Sequence, residues 1–374
     1  LGIICYPSVL AGVDAGSRTT GDSKGWKPQM TTRDGIIGAV PATKVPRYAG
    51  KGTFARIADI HEVSDYDIAI LGVPFDGGTS YRPGARFGPL AVRNAARALR
   101  PGYHVELGVA PLEHVQVVDA GDVAVTPYSI DEACRQIQDH ASDILAGGDR
   151  RIVSIGGDHT IALPNLRALH AKHGPVALVH FDAHLDTWDT YFNAPVTHGT
   201  IFRRAFEEGL LIEDHSIHVG IRGPIYDQMD LDDDARMGFK IIRAGDLDVI
   251  GVDAAVDAVR RRVSDVPVYL SIDIDVLDPA FAPGTGTPEM GGLTSRELLK
   301  MLRKMTGLNI VGADVVEVAP AYDHAEITCV AAATLVFDIV SLMVAGAQTS
   351  LPVNGEVAAS ATGSHTDRQL DTTL

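Results

Sequence analysis

Three short segments of this chain carry residue types that hold metal ions: Gly156-Gly157-Asp158-His159, Asp182-Ala183-His184-Leu185-Asp186 and Asp273-Ile274-Asp275. Their candidate ligands are His159, Asp182, His184, Asp186, Asp273 and Asp275, with Asp158 as a further group. Two histidines and four aspartates are more than one tetrahedral ion takes. They suit a pair of divalent ions that share carboxylates, and four ionised aspartates balance the charge of such a pair. Coordination lowers the pKa of water to about 7, which supplies a nucleophile at neutral pH. Mixed carboxylate and imidazole ligation suits manganese, nickel, iron or zinc and would not select calcium.

A single Asp-x-Asp is ordinarily a turn or a helix cap. Several carboxylates buried together without cations would be prohibitively costly. Each segment here follows a hydrophobic run, at 151–155, 176–181 and 268–272, that reads as a buried strand. In a parallel sheet ligands gather at the carboxyl ends of strands, so the three segments are expected to converge. If the chain stays extended after the second run, Asp182, His184 and Asp186 point the same way.

The elements that would position these groups alternate along the chain. Further strands are expected at 68–73, 115–119, 217–221, 239–242 and 310–318, and helices at 89–100, 129–145, 163–172, 294–305 and 326–343. Capping boxes open two helices, Ser129-x-x-Glu132 and Thr294-x-x-Glu297. Continuous apolar strands imply a sheet covered on both faces. The expected fold is therefore α/β, a three-layer α/β/α arrangement with a mostly parallel sheet of about eight strands. Residues 1–60 read as an N-terminal extension without sustained periodicity, 61–350 as one catalytic domain, and 351–374 as a disordered tail. The acidic run Asp230-Leu231-Asp232-Asp233-Asp234 reads as a solvated loop.

The formal charge of −16 over 374 residues excludes a general nucleic-acid binder and is compatible with a cationic small substrate. Cys5, Cys134 and Cys329 are scattered, so a disulfide framework is not expected and a reducing cytoplasm is. The apolar opening, residues 1–13, lacks the basic flank of a secretory signal. No apolar run is expected to reach the ~20 residues needed to span a bilayer, so no membrane partner is expected. Phosphate-loop and serine-nucleophile motifs are absent from the chain.

In order along roughly residues 45–345, the sequence resembles the ureohydrolases: arginases, agmatinases and guanidinobutyrases. The likeness rests on Gly72-Val73-Pro74-Phe75-Asp76, Arg82-Pro83-Gly84-Ala85-Arg86-Phe87-Gly88-Pro89, the three ligand segments, Pro283-Gly284-Thr285-Gly286-Thr287-Pro288-Glu289 and Val315-Val316-Glu317-Val318-Ala319-Pro320. The resemblance implies an arginase-like fold, two manganese ions per subunit (nickel being the alternative), and a homo-oligomer, hexamer or trimer. It implies one ion held by His159, Asp182, Asp186 and Asp273, and a second by Asp182, His184, Asp273 and Asp275. It also implies attack of a bridging hydroxide on a guanidinium carbon, with release of urea and an amine. Asp186 would orient the hydroxide, His198 would shuttle protons and Glu317 would anchor the guanidinium.

The loops resemble agmatinases and guanidinobutyrases more than arginases. Candidate contacts for the substrate's tail are Trp188, Tyr191, Asn193, Arg222 and Glu289, with Phe192 and His324 also on the expected rim. Asn193, Val196 and Ile201 depart from the family pattern, where Gly, an aromatic and Pro are usual. This leaves free guanidine, a substituted guanidine or a biguanide as alternative substrates. A formimino-amino-acid hydrolase and a non-catalytic ureohydrolase subunit are the rival functions.

Overall fold

The computed structural model of the chain describes residues 31–32 and 35–349. The apolar opening at 1–13 and the tail beyond 351 lie outside the described residues. The strands are β1 (Thr31–Thr32), β2 (Ile36–Ile37), β3 (Ala58–Asp59), β4 (Ile68–Val73), β5 (Val117–Asp122), β6 (Arg151–Gly156), β7 (Ala177–Phe181), β8 (Ile217–Ile221), β9 (Lys240–Arg243), β10 (Val268–Asp273) and β11 (Ile310–Val316). The helices are α1 (Gly88–Ala96), α2 (Pro111–His114), α3 (Ile130–Leu145), α4 (Ala162–His173), α5 (Ile201–Glu207), α6 (Gln228–Arg236), α7 (Ala244–Val263), α8 (Ser295–Arg303) and α9 (Ile327–Thr349).

Nine strands form one sheet in the order β3-β5-β4-β6-β11-β10-β7-β8-β9. Every neighbouring pair is parallel. The expected count of about eight misses β3. This two-residue edge strand lies within the segment expected to be irregular, and nearby Phe54 is 1% exposed in the core. Its pairing with β5 depends on distant partners and leaves no local period to read.

Side-chain alternation on the strands feeds two cores. On β4, Ile68 and Ile70 belong to the core that also takes residues of α1, α7, α8 and α9, while Ala69, Leu71 and Val73 belong to the core on the opposite face with residues of α3, α4 and α5. The three layers follow from that division. Gly157, at φ +38°, turns the chain as it leaves β6; a Cβ there would lie 2.5 Å from the Phe75 carbonyl oxygen and 2.6 Å from that of Val73. Only glycine fits this crossing. The Thr294 capping box closes as expected, and Ser129 accepts the Glu132 amide at 3.3 Å.

Two further expectations change. The stretch Ile327–Ala345 is long and apolar enough to cross a bilayer by length and composition, with a mean hydropathy of 2.2, yet 72% of its most apolar window is buried inside the fold. Its Ala332, Val336, Ile339 and Val340 belong to the α1/α7/α8 core. The acidic run, in turn, lies within α6, and Asp234 is completely buried. Asp232, Ala235 and Arg236 are exposed and Asp233 is half-buried, which is the helical signature that composition alone obscured.

Ile339→Ala should destabilise the protein in aqueous buffer by about 2–5 kcal/mol, measured by urea unfolding. An unchanged midpoint would contradict the placement of α9 in the core.

Candidate metal centre and substrate cavity

Four adjacent strands, β6, β11, β10 and β7, deliver the candidate residues. His159 follows β6 in a short 3-10 turn, Asp182 follows β7, Asp273 ends β10 and Glu317 follows β11. The segment 182–186 does not continue β7 as an extended strand. It curls, and Asp186 takes a left-handed backbone at φ +56°, as Glu317 does at +62°. Such conformations are uncommon for residues with a side chain and cluster at functional sites. Convergence is achieved by turning the chain and not by strand alternation.

Six candidate ligands meet here. Nδ1 of His159 lies 3.2 Å from Asp182 Oδ2, 3.0 Å from Asp186 Oδ2 and 3.3 Å from Asp273 Oδ2. Nδ1 of His184 lies 3.2 Å from Asp182 Oδ1 and 3.1 Å from Asp275 Oδ2. Two atoms that each sit ~2.1 Å from one tetrahedral ion are ~3.4 Å apart, so the spacing suits two ligand sets. Asp182 gives one oxygen to each set. Asp273 joins the first set through Oδ2, while its Oδ1 accepts the Asp275 amide at 2.8 Å.

The chemistry of the donor set fits divalent cations. His159 Nδ1 is fully buried and makes no hydrogen bond of acceptable geometry. Burial pushes Asp273 well above the ordinary carboxylate range, and the charges of Asp275 and Asp182 push the same way. Burial and then Asp182 raise Asp275 to about 6. Asp182 stays well below its usual range because His180, His159 and His184 overcome its burial. The carboxylates thus oppose one another's ionisation, and cations between them would relieve that.

Histidines and backbone groups hold the surroundings. His159 Nε2 lies 2.7 Å from Ser271 Oγ, whose hydroxyl donates to Asp314 at 2.7 Å. Glu317 Oε1 accepts the His159 amide at 2.8 Å and lies 3.0 Å from His198 Nδ1, while its buried Oε2 has no hydrogen-bond partner. On the other side of the ring, His198 Nε2 accepts the Ser80 amide at 3.1 Å and lies 2.7 Å from Ser80 Oγ. Burial would lower the His198 pKa, but Glu317, with Asp186 and Asp158 behind it, raises it to about 9. Divalent cations beside Asp186 would remove part of that field.

Asp158 stands outside the two ligand sets. Its carboxylate accepts the Gly78 amide at 2.6 Å and the Thr160 amide at 3.0 Å. It therefore fixes the 76–80 loop beside His198. A Cβ on Gly78 would lie 2.1 Å from Thr160 Oγ1, so the loop needs glycine there.

A cavity of about 580 Å³ opens above the centre, within the range of small-molecule sites. Asp186, His184, Asp273 and His198 line its floor, and Trp188, Tyr191 and Glu289 its wall. Arg222 also borders it, but its guanidinium donates to backbone carbonyls, among them Asp275 at 2.6 Å and Glu289 at 2.8 Å. That is a structural clamp on the loops, not a free donor for substrate. Phe192, Asn193 and His324 are exposed and do not line the cavity. Asn193 sits at φ +61°, a conformation that asparagine tolerates better than most residues, which accounts for its standing in place of glycine.

Sequence reasoning missed His180, Ser80 and Tyr226. His180 lies in an otherwise apolar strand two residues before Asp182, and that spacing was the available signal. Ser80 and Tyr226 come from loops far apart in sequence, and no local signal marks them.

Fold and site together define an α/β protein with a small-molecule cavity above a buried His/Asp cluster that could hold metal ions, and comparison gives it a family. Residues 66–341 match the arginase family. The chain is 44% identical over 313 residues to a guanidinopropionase of Pseudomonas aeruginosa, covering 83% of this chain and 96% of that protein. It is 47% identical over 284 residues to an agmatinase of an Enterobacter species, covering 75% and 89%. The solved structure of proclavaminate amidino hydrolase from Streptomyces clavuligerus superposes with a TM-score of 0.77 at 41% identity, covering 80% of this chain and 99% of that one. The chain belongs to the arginase family.

Mn²⁺ at a hundredfold excess over its Kd should stabilise the protein by about 2.7 kcal/mol per site, read as a rise in Tm. Asp182→Asn should lose most of that rise; a wild-type Tm indifferent to Mn²⁺ would sink the two-ion assignment. In metal-free protein the raised His198 pKa contributes stability that is fully present below about pH 6.5 and lost as pH rises through about 9. The stability deficit of metal-free His198→Asn should therefore shrink across that window in denaturant titrations, and a growing deficit would contradict the pairing.

Proposed function

We propose that this protein hydrolyses a guanidino compound to urea and an amine, as an agmatinase or a guanidinobutyrase does. The observation that carries the reading is the buried, unpartnered Oε2 of Glu317 beside the two ligand sets. A buried carboxylate oxygen without a donor is costly, and the N–H groups of a guanidinium match it in charge and geometry.

His159, Asp182, His184, Asp186, Asp273 and Asp275 would hold two divalent ions, with manganese as our first choice and nickel as the alternative. When bound, such ions supply a nucleophile at neutral pH by acidifying water and polarise the carbon under attack. Glu317 Oε2 fixes the guanidinium through its N–H groups. Oε1 holds the His198 ring at 3.0 Å, on the floor of the cavity where a leaving amine needs a proton. The Ser80 amide, which can only donate, favours a ring with its proton on Nδ1 while that contact lasts. Proton delivery from Nε2 therefore requires His198 to shift away from the Ser80 amide or to gain a second proton. Asp186, a candidate ligand carboxylate that also lines the cavity, would orient the attacking water.

The tail of the substrate would lie along Trp188, Tyr191 and Tyr226. Trp188 and Tyr191 stack with centroids 5.9 Å apart, and Trp188 meets Tyr226 at 5.1 Å. Glu289 on the same wall favours a cationic tail, such as that of agmatine. Arg82, 5.5 Å from the Tyr81 ring and 5.3 Å from the Tyr322 ring, has no carboxylate partner among the described residues and favours an anionic tail, such as that of guanidinobutyrate. A trimer or hexamer belongs to the same reading.

The test is urea release by Mn²⁺- or Ni²⁺-loaded protein from agmatine, guanidinobutyrate, guanidinopropionate, arginine, guanidine and a biguanide, with formamide release from a formimino amino acid as the control. Formamide without urea from any guanidine would overturn the proposal. Glu317→Gln should lose the charge-assisted part of guanidinium binding, about 1.5–3 kcal/mol, and so lower kcat/KM about tenfold or more.

A further inference from the structure

Behind the metal centre, His180, His218 and Asp234 continue from Asp182 as a row of buried titratable groups that the proposed reaction does not use. All four residues are completely buried. His180 Nε2 lies 2.8 Å from Asp182 Oδ2, and its Nδ1 lies 2.7 Å from Nδ1 of His218. His218 Nε2 lies 3.3 Å from Asp234 Oδ1, which also accepts the Thr187 hydroxyl at 2.9 Å. The row thus runs from the aspartate shared by the two ligand sets to α6 and the base of the loop that carries Trp188 and Tyr191.

Hydrogen-bond accounting sets its direction. Asp182 can only accept, so His180 carries its proton on Nε2. With its one ring proton on Nε2, His180 leaves Nδ1 bare as an acceptor. A 2.7 Å contact between two nitrogens holds one proton, and it must therefore sit on His218 Nδ1. His218 Nε2 then faces a carboxylate across 3.3 Å, off the line of a good hydrogen bond and with no other partner. Both His180 nitrogens are occupied, whereas His159 Nδ1 is not, so His180 acts on the metal site through Asp182 and not as a ligand.

We propose that His180, His218 and Asp234 are positioning residues that hold Asp182 in the orientation needed to serve both ligand sets, and so set the affinity of the metal centre. The inference rests on the two-ion reading of the site. Loss of such partners around a metal ligand typically weakens metal binding 10- to 100-fold.

The experiment is Mn²⁺ binding by chelator competition, with unfolding of the metal-free protein followed alongside. His218→Phe preserves a ring against Phe239, whose centroid is 4.6 Å away, but removes both nitrogens. It should lower Mn²⁺ affinity about 10- to 100-fold while the metal-free protein still folds. His218→Asn restores a donor to His180 Nδ1 and should bind within a few-fold of wild type. If His218→Phe does not fold, His218→Phe with Asp234→Asn removes the carboxylate left unpaired, and the same loss of affinity is expected. Wild-type affinity in a folded Phe variant, or equal weakness in the Phe and Asn variants, would overturn the relay. Wild-type protein that takes up no Mn²⁺ would instead overturn the two-ion reading, and the relay with it.

Discussion

Asp182, Asp186, Asp273 and Asp275 meet where two neighbouring strands leave the sheet, and their mutual repulsion is the constraint around which the centre of the molecule is arranged. Two like charges 4 Å apart repel by about 4 kcal/mol at an effective dielectric of ~20. A folded domain has a net stability of only about 5–15 kcal/mol. Several such contacts cannot persist without compensation, so the site gathers imidazole nitrogens around the carboxylates. The upward displacement of Asp273 and Asp275, and the strong lowering of Asp182 by three histidines, are two outcomes of the same crowding.

Holding these groups in place requires a backbone that departs from regular structure. Left-handed Asp186 and Glu317 are maintained because the neighbouring chain over-determines them: the Glu317 amide donates to the Gly157 carbonyl at 2.8 Å, and the Phe202 amide to that of Asp186 at 3.0 Å. Asp158, Gly78 and Ser80 bring a loop from the end of β4 against His198. Arg222, just after β8, ties the Gly220 carbonyl of that strand to carbonyls of the connection after β10. The sheet supplies a rigid edge, and loop-to-loop hydrogen bonds turn that edge into a cavity.

Much of this was legible in the residues. Continuous apolar runs identified eight of the nine strands of the main sheet, because parallel strands buried on both faces must be hydrophobic along their length. The helices α2, α5, α6 and α7 were not foreseen. The kink at Gly251 interrupts α7, and α6 is so rich in aspartate that its one buried position, Asp234, looked like all the others. The ligand segments stood out because carboxylates rarely follow apolar strands without cause. Arg222 and Asn193 had residue types that suit substrate binding, but type does not say where a side chain is already engaged. Arg222 is satisfied by the carbonyls of Gly220 in β8 and of two stretches of the connection after β10, and Asn193 serves the backbone of an exposed turn.

By itself the sequence determined the layers of the fold, the six clustered metal-ligand candidates and the family, since each rests on hydrophobic period or on residues close together in the chain. Tertiary structure alone decided that Asp182 faces both ligand sets, that Glu317 keeps one oxygen free, and that His180, His218 and Asp234 stand in a row behind the centre. These are relations among residues up to 158 positions apart, as His159 and Glu317 are. Distance in the chain carries no information about them; burial and the need to satisfy every polar group within it do.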